Sequence, residues 1–145
     1  MPIHHSVFKN PFEAKPQDVK WIDGMPHSIT YDDLFFQDDA IAEIKNIFIE
    51  PNKLEERFTD DSKITIGELG FGFGLNLFVT AKIWMQHKDN SYIETLEYIA
   101  IEEALPSKEQ ILRVIKNFPA LEDICRYFLS LYDPMHNDMT RINLP

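Results

Sequence analysis

The sequence predicts an α/β fold built on parallel strands, and three observations carry that prediction. An apolar run, Ile64-Thr-Ile-Gly-Glu-Leu69, passes directly into a glycine-rich turn holding Gly70, Gly72 and Gly74. Helical spacing begins at once after the turn, with Leu77, Phe78, Ala81 and Trp84 on one side. A second apolar run, Leu96 to Glu102, is β-branched near its end, as suits a central parallel strand. In parallel sheets, a strand, a tight turn and a helix in that order hold ligands over the carboxyl end of the strand.

The elements follow from local chemistry. Residues 1–20 contain Pro2, Pro11 and Pro16 and show neither helical nor alternating period, so they are expected to form an extended arm. Trp21-Ile22 and Ser28-Ile-Thr30 flank the turn dipeptide Asp23-Gly24, which predicts a β-hairpin with a slightly long loop. Asp38 or Asp39 can cap a helix whose apolar positions Ile41, Ile44, Ile47 and Phe48 repeat at three and four, and Pro51 stops it. A polar stretch through Asp60-Asp61-Ser62 then leads to the strand Lys63 to Leu69 and the helix Leu75 to about His87. After the second strand, Ser107-x-x-Gln110 has the form of a capping box, opening a helix with Ile111, Leu112 and Ile115 that ends at Phe118-Pro119. A last helix repeats the pattern with Leu121, Ile124, Cys125 and Phe128. Cys125 on that stripe is a small core residue rather than a reactive thiol.

Composition bounds the function. A chain of 145 residues with 44% hydrophobic content can bury one core. Met1-Pro-Ile-His-His lacks the pattern of a secretory signal, and no stretch approaches the roughly 20 apolar residues of a membrane span. A single cysteine excludes an internal disulfide, and the scattered His4, His5, His27, His87 and His136 give no metal-ligand spacing. A cytoplasmic setting is the default expectation. The net charge of -10 weighs against this chain binding nucleic acid by itself, because Lys and Arg supply most non-specific affinity for phosphate. Lys9, Lys15 and Lys20 gather near the N-terminus, where a solvated tail is a simpler reading than an RNA-contacting arm.

The candidate site lies at the glycine turn. Its spacing is G-x-G-x-G, preceded by Glu68, which differs from the dinucleotide fingerprint G-x-G-x-x-G. Such turns also serve plain strand-to-helix connections with nothing bound. Glu102 stands where a doubly wound fold places an acid for ribose hydroxyls, although it comes 28 residues after Gly74 against a usual interval of about 20, the insert Lys88-Asp-Asn-Ser91 absorbing the excess. A solvated acid at a strand end is the plainer alternative. Glu103 must point the other way, because neighbours on a strand alternate faces, so the pair is not an acid/base dyad. Asp32-Asp33 either line a ligand pocket or cap a turn.

Several segments together resemble one family. They are Glu68-Leu-Gly-Phe-Gly-Phe-Gly-Leu-Asn76; Trp21, Gly24-Met-Pro26, Ser28 and Tyr31-Asp-Asp33; Asn46-Ile-Phe-Ile49, Asn52-Lys-Leu54 and Arg57; Tyr98-Ile-Ala-Ile-Glu102 with Leu105; and Phe118-Pro119 with Leu121. The family is the methyltransferase domain of the MnmC enzymes, and the resemblance runs from about Trp21 to the end of the chain. It implies a Rossmann-like S-adenosylmethionine-dependent methyltransferase fold that acts on the aminomethyl group of wobble 2-thiouridine in tRNA. By the same resemblance the cofactor is held by Glu68 (methionyl amine), the turn Gly70, Phe71, Gly72 and Gly74, Asn76, and Glu102 (ribose). No catalytic residue is assigned, and neither FAD nor a metal nor a membrane is expected.

Against the family pattern, Phe73 replaces a usual Thr and Glu103 a usual Lys. Family domains also continue with further strands beyond the region of Met139–Leu144, including an acidic motif beside adenine and the catalytic region. The expected organisation is therefore an arm (1–20), a hairpin and helix segment (21–62), and the N-terminal half of the methyltransferase domain (63–145), truncated after its first two or three strands. Weak cofactor binding and no independent methylation follow, with a second chain as the candidate supplier of the missing half. The competing readings are a nicotinamide oxidoreductase, disfavoured by the glycine spacing, and a non-catalytic remnant or split-gene interaction module.

Overall fold

The computed structural model describes residues 15–60, 63–87 and 96–133. Its centre is the parallel pair β5 (Ile64–Leu69) and β6 (Leu96–Ile101), joined through α3 (Leu75–His87). The register pairs Ile64 with Leu96, Glu68 with Ala100 and Leu69 with Ile101, so both strands finish at one edge. The layout is α/β and compatible with a Rossmann-like arrangement. Among the described residues, β5 and β6 pair only with each other.

Helices cover one face of this pair. Ile64 and Ile66 of β5 are buried, whereas Thr65, Gly67 and Leu69 are exposed, and Leu69 is 88% accessible. Ile99 and Ile101 lie on that same open face, because paired residues of a ladder point the same way. β5 thus alternates in and out along its length, and the last residues of β6, expected from its apolar run to suit a central strand, are exposed.

The core lies on the helical side. In α3, Leu75, Phe78, Val79, Thr80, Ala81, Ile83 and Trp84 are all buried, so this helix is enclosed on more than the one predicted side. It packs with α2 (Leu54–Asp60), with α1 (Ala40–Ile44), and with α5 (Glu122–Leu131). The capping box that opens α4 (Lys108–Ile115) is complete, with Gln110 N–H donating to Ser107 Oγ at 3.1 Å and Ser107 N–H donating to Gln110 Oε1 at 2.8 Å. A 3₁₀ turn at Pro119–Leu121 leads into α5, and Cys125 is fully buried on its inner stripe. Burial pushes the Cys125 thiol up to about 11, consistent with an inert core residue.

Four local features differ from the sequence expectations. The hairpin turns tightly at Asp23 and Gly24, both at positive φ, joining β2 (Val19–Ile22) to β3 (Met25–Ser28), so its second strand begins earlier than expected and the loop is short. Pro26 lies inside β3 just past the pairing with β4 (Asp33–Leu34), and its carbonyl accepts from Phe35 N–H at 3.3 Å. Second, α1 continues as a π-helical stretch, Lys45–Ile49, closed by Glu50 N–H to Lys45 C=O at 2.9 Å. Widening the turn to five residues carries Ile49 into the core at 1% exposure and turns Ile47 out at 67%. Asp39 stands at the N-cap, but its side chain makes no capping bond.

Third, α2 occupies a stretch without a predicted element; Leu54 and Phe58 one turn apart are both buried, and Glu55 and Glu56 favour its positive end. Fourth, residues 15–20 do not hang free. β1 (Lys15–Pro16) runs parallel to β7 (Ala104–Leu105), Gln17 N–H donates to Leu105 C=O at 3.0 Å, and Gln110 Nε2 donates to Gln17 C=O at 3.1 Å. The remainder of the arm, the insert 88–91, and the region of Met139–Leu144 lie outside the described residues.

Candidate functional site

The site forms where β5 and β6 end together. Gly70 N–H donates to Ile101 C=O at 2.8 Å, which continues the ladder one residue beyond β5 and brings the start of the glycine turn against the end of β6. Gly70, Gly72 and Gly74 have φ of 87°, 56° and 82°, values that side chains rarely adopt. They are not equivalent. A Cβ on Gly74 would lie 2.7 Å from Phe71 Cζ and 3.1 Å from the Phe78 ring, whereas a Cβ on Gly70 or Gly72 would meet nothing within 4 Å. Gly74 is therefore required by packing, and the other two face open space where a ligand can approach the backbone.

Both aromatic residues of the turn point inward. Phe71 is buried with its ring centroid 5.9 Å from Phe128 and 6.5 Å from Tyr132, so only its backbone is left for a ligand. Phe73, the position that departs from the family pattern, is 3% exposed and meets Phe35 edge-on at 4.8 Å and Trp21 at 6.4 Å. It thereby fastens the β2–β3–β4 sheet to the turn. Trp21 in turn lies 4.0 Å beneath the Arg113 guanidinium, which ties the same sheet to α4.

Glu68 is the most unusual side chain here, a carboxylate only 6% exposed at the end of a strand. Asn76 Nδ2 donates to its Oε1 at 2.6 Å and Tyr98 Oη donates to its Oε2 at 2.7 Å. Burial raises the Glu68 carboxyl above the ordinary range, the bonds from Tyr98 and Asn76 pull it back down, and the nearby Glu102 charge pushes it up. The phenol of Tyr98 is pushed well above its own ordinary value by burial and by the Glu68 charge, so it stays a donor.

Glu102 follows β6 directly and is half-buried, whereas Glu103 is exposed. Glu102 Oε2 accepts from Gly72 N–H at 2.9 Å and Oε1 from Ala104 N–H at 3.1 Å. One carboxylate thus pins the middle of the glycine turn to the end of β6. Each of its oxygens keeps a second lone pair for a hydroxyl donor.

The structure therefore brings Glu68, Gly70, Phe71, Gly72, Gly74, Asn76 and Glu102 to one sheet edge, with Glu68 near the end of β5 and Glu102 just past the end of the adjacent parallel strand β6. Asn76 stands there through Glu68. Sequence reasoning missed Tyr98; its one signal was that residues two apart on a strand share a face, which places Tyr98, Ala100 and Glu102 together. Asp32 and Asp33 take the turn role instead: Asp32 pairs with Lys20 at 2.8 Å in solvent, and Asp33 Oδ1 accepts from Leu34 N–H at 2.8 Å. Among the described residues, no group of three or more His, Cys, Asp or Glu is placed to hold a metal. No helix of the described residues is long and apolar enough to cross a membrane.

A buried carboxylate below the turn sets the ligand chemistry. A pyrophosphate at this point would face a negative charge that burial leaves poorly screened, whereas an ammonium would be attracted to it.

Comparison with known proteins gives a consistent set of relatives. The chain is 31% identical over 139 residues to the tRNA 5-methylaminomethyl-2-thiouridine biosynthesis bifunctional protein MnmC of Marinobacter nauticus, covering 92% of this chain and 22% of that protein. The MnmC protein of Caulobacter vibrioides is 30% identical over 132 residues, covering 90% and 22%. That of Leptospira borgpetersenii is 34% identical over 114 residues, covering 76% and 17%. The chain spans about a fifth of the length of these curated relatives. No family model matches it.

Proposed function

This chain is a relative of the MnmC tRNA-modification proteins, matched over part of their length, and from that premise we propose that it holds S-adenosylmethionine across the joined carboxyl ends of β5 and β6. Glu68 receives the methionyl ammonium, the backbone from Gly70 to Gly74 passes beside the cofactor, and Glu102 receives the ribose hydroxyls. The observation that carries the reading is the pairing of a buried Glu68 with Glu102 on either side of one glycine turn. It favours an amine-bearing nucleoside over a dinucleotide.

The reaction served is methylation of the aminomethyl nitrogen on wobble 2-thiouridine of tRNA. When bound, the cofactor would supply an activated methyl group to the amine, which would have to give up one proton. Within this chain the acids orient rather than deprotonate, because Glu68 is committed to the ammonium and Glu102 to the backbone and ribose. The net charge of -10 also gives little surface for RNA. The proposal therefore assigns the chain the cofactor side of the reaction. The proton acceptor and the tRNA-docking surface are assigned to a partner chain.

Isothermal calorimetry tests the reading. Wild type is expected to bind S-adenosylmethionine with a Kd weaker than micromolar, and Glu68→Ala to lose that binding while keeping its melting transition. Unchanged binding in the variant would overturn the assignment of Glu68, and a preference for NADH would overturn the cofactor class. With labelled cofactor and tRNA carrying the unmethylated aminomethyl group, the chain alone is expected to transfer no label. Label that appears with wild type and vanishes in Glu68→Ala would make this chain a methyltransferase in its own right.

A further inference from the structure

Glu68 is held from two directions by donors on different elements. Asn76 reaches it from the first turn of α3, eight residues away in sequence, and Tyr98 reaches it from the neighbouring strand β6, thirty residues away. The two bonds fall on different oxygens, at 2.6 Å and 2.7 Å, so the plane of the carboxylate is fixed. Tyr98 is opposite Ile66 in the ladder, which makes it the diagonal neighbour of Glu68 on the helix-covered face. Its ring occupies that partly buried face and its hydroxyl ends on the acid.

From this geometry we propose that Tyr98 is a positioning residue for cofactor recognition: its hydroxyl orients the Glu68 carboxylate and keeps it available as an anion for the cationic amine of the ligand. The proposal rests on the S-adenosylmethionine reading above and adds to it a residue that makes its contribution through Glu68. The chemistry is specific to a hydroxyl in that place. Burial favours the protonated acid, which has no full charge to attract an ammonium, and a donated O–H bond favours the ionised form. Because burial and the Glu68 charge keep the proton on the Tyr98 phenol, it stays a donor and is no competing base. Asn76 supplies the matching donor on the other oxygen, and each oxygen keeps a lone pair for the ligand. The charged group facing this acid from the remaining packed element is Glu102 at the end of β6, which opposes ionisation of Glu68 and makes the donors more necessary.

Tyr98→Phe removes the hydroxyl and leaves the ring. Two measurements on the full chain separate this proposal from the reading beneath it. In ligand-free protein, the titration of the Glu68 side-chain carboxyl carbon, followed by NMR with Glu68→Gln for assignment, is expected to move upward in Tyr98→Phe. A merely structural role for the ring would leave it in place, and an unmoved titration overturns the proposal whether or not cofactor binds. In calorimetry with S-adenosylmethionine, Tyr98→Phe is expected to weaken binding about tenfold, the scale of losing one hydrogen bond to a charged group. That loss is expected to grow as pH falls. Equal loss at all pH values overturns it. If wild type binds no S-adenosylmethionine while the titration still moves, the cofactor reading fails and the Tyr98 link to Glu68 stands.

Discussion

Substituting alanine along the glycine turn is expected to separate folding from ligand approach, because the three glycines have different surroundings. At Gly74 the new Cβ would stand 2.7 Å from Phe71 Cζ and 3.1 Å from two atoms of Phe78. The Phe71 ring cannot retreat freely, since it is buried against Phe128 and Tyr132. Overpacking of this kind costs about 1–3 kcal/mol, and a side chain at left-handed φ adds about 1–2 kcal/mol. Gly74→Ala is therefore expected to lose about 2–5 kcal/mol, a large share of the roughly 5–15 kcal/mol that holds a domain together. At Gly72 the Cβ meets nothing, so only the backbone cost of about 1–2 kcal/mol applies. Urea unfolding followed by circular dichroism reads both from the midpoint and slope. The reverse order is expected for ligand binding, with Gly72→Ala folded but unable to admit the ligand. Equal midpoints for the two variants would refute the packing argument for Gly74.

Other outcomes follow from the same structure. Because burial raises the Glu68 carboxyl, the native state holds that proton more tightly than the unfolded chain; the associated stability is full in acid and is lost as pH rises through the native value. Glu68→Gln is thus expected to melt above wild type at neutral pH in the absence of ligand, with the gap closing in acid; a constant gap would mean altered contacts rather than charge. Phe73→Ala removes the ring against which Phe35 and Trp21 pack and is expected to cost about 3 kcal/mol in chemical denaturation; a change near zero would show that the β2–β3–β4 sheet is held by other contacts. Cys125, buried and with its thiol pushed up to about 11, is expected to resist a thiol reagent at mildly alkaline pH until the chain unfolds; rapid labelling of native protein would contradict its placement in the core.

Local patterns carried much of the fold. The two strand runs, the glycine turn, the helix from Leu75, the complete Ser107–Gln110 capping box and the Asp23-Gly24 turn all depend on residues within a few positions of one another, and each is found where the sequence places it. What was not legible depends on distant partners or on a change of phase. Ile47 fits an α-helical stripe from Ile44, but the widened turn at Lys45–Ile49 substitutes Ile49 for it, and nothing in a three-and-four periodicity signals that step. The pairing of β1 with β7 joins residues almost ninety positions apart, and proline-rich composition suggested only an arm.

The site shows the same division. Glu68, the glycines and Glu102 were legible because the acid, turn and strand end are each marked in the chain. The grip of Tyr98 on Glu68 was not, because it exists only once β5 and β6 are in register. Asn76 stands at the start of α3, and the donation of its amide to Glu68 has no mark in the local sequence. Phe73 stood out only as a Phe where the family usually has Thr; its ring is the seat of the β2–β3–β4 sheet.

The most direct test of the central claim is a crystal structure of the chain with S-adenosylhomocysteine, which keeps the amine and ribose and lacks only the transferred methyl. The account predicts the amino group within hydrogen-bond distance of the Glu68 carboxylate, the ribose hydroxyls on Glu102, and the ligand passing over Gly70 and Gly72. A ligand bound away from the β5–β6 edge, or bound there with its ribose on Glu68 and its amine free of both acids, would contradict it.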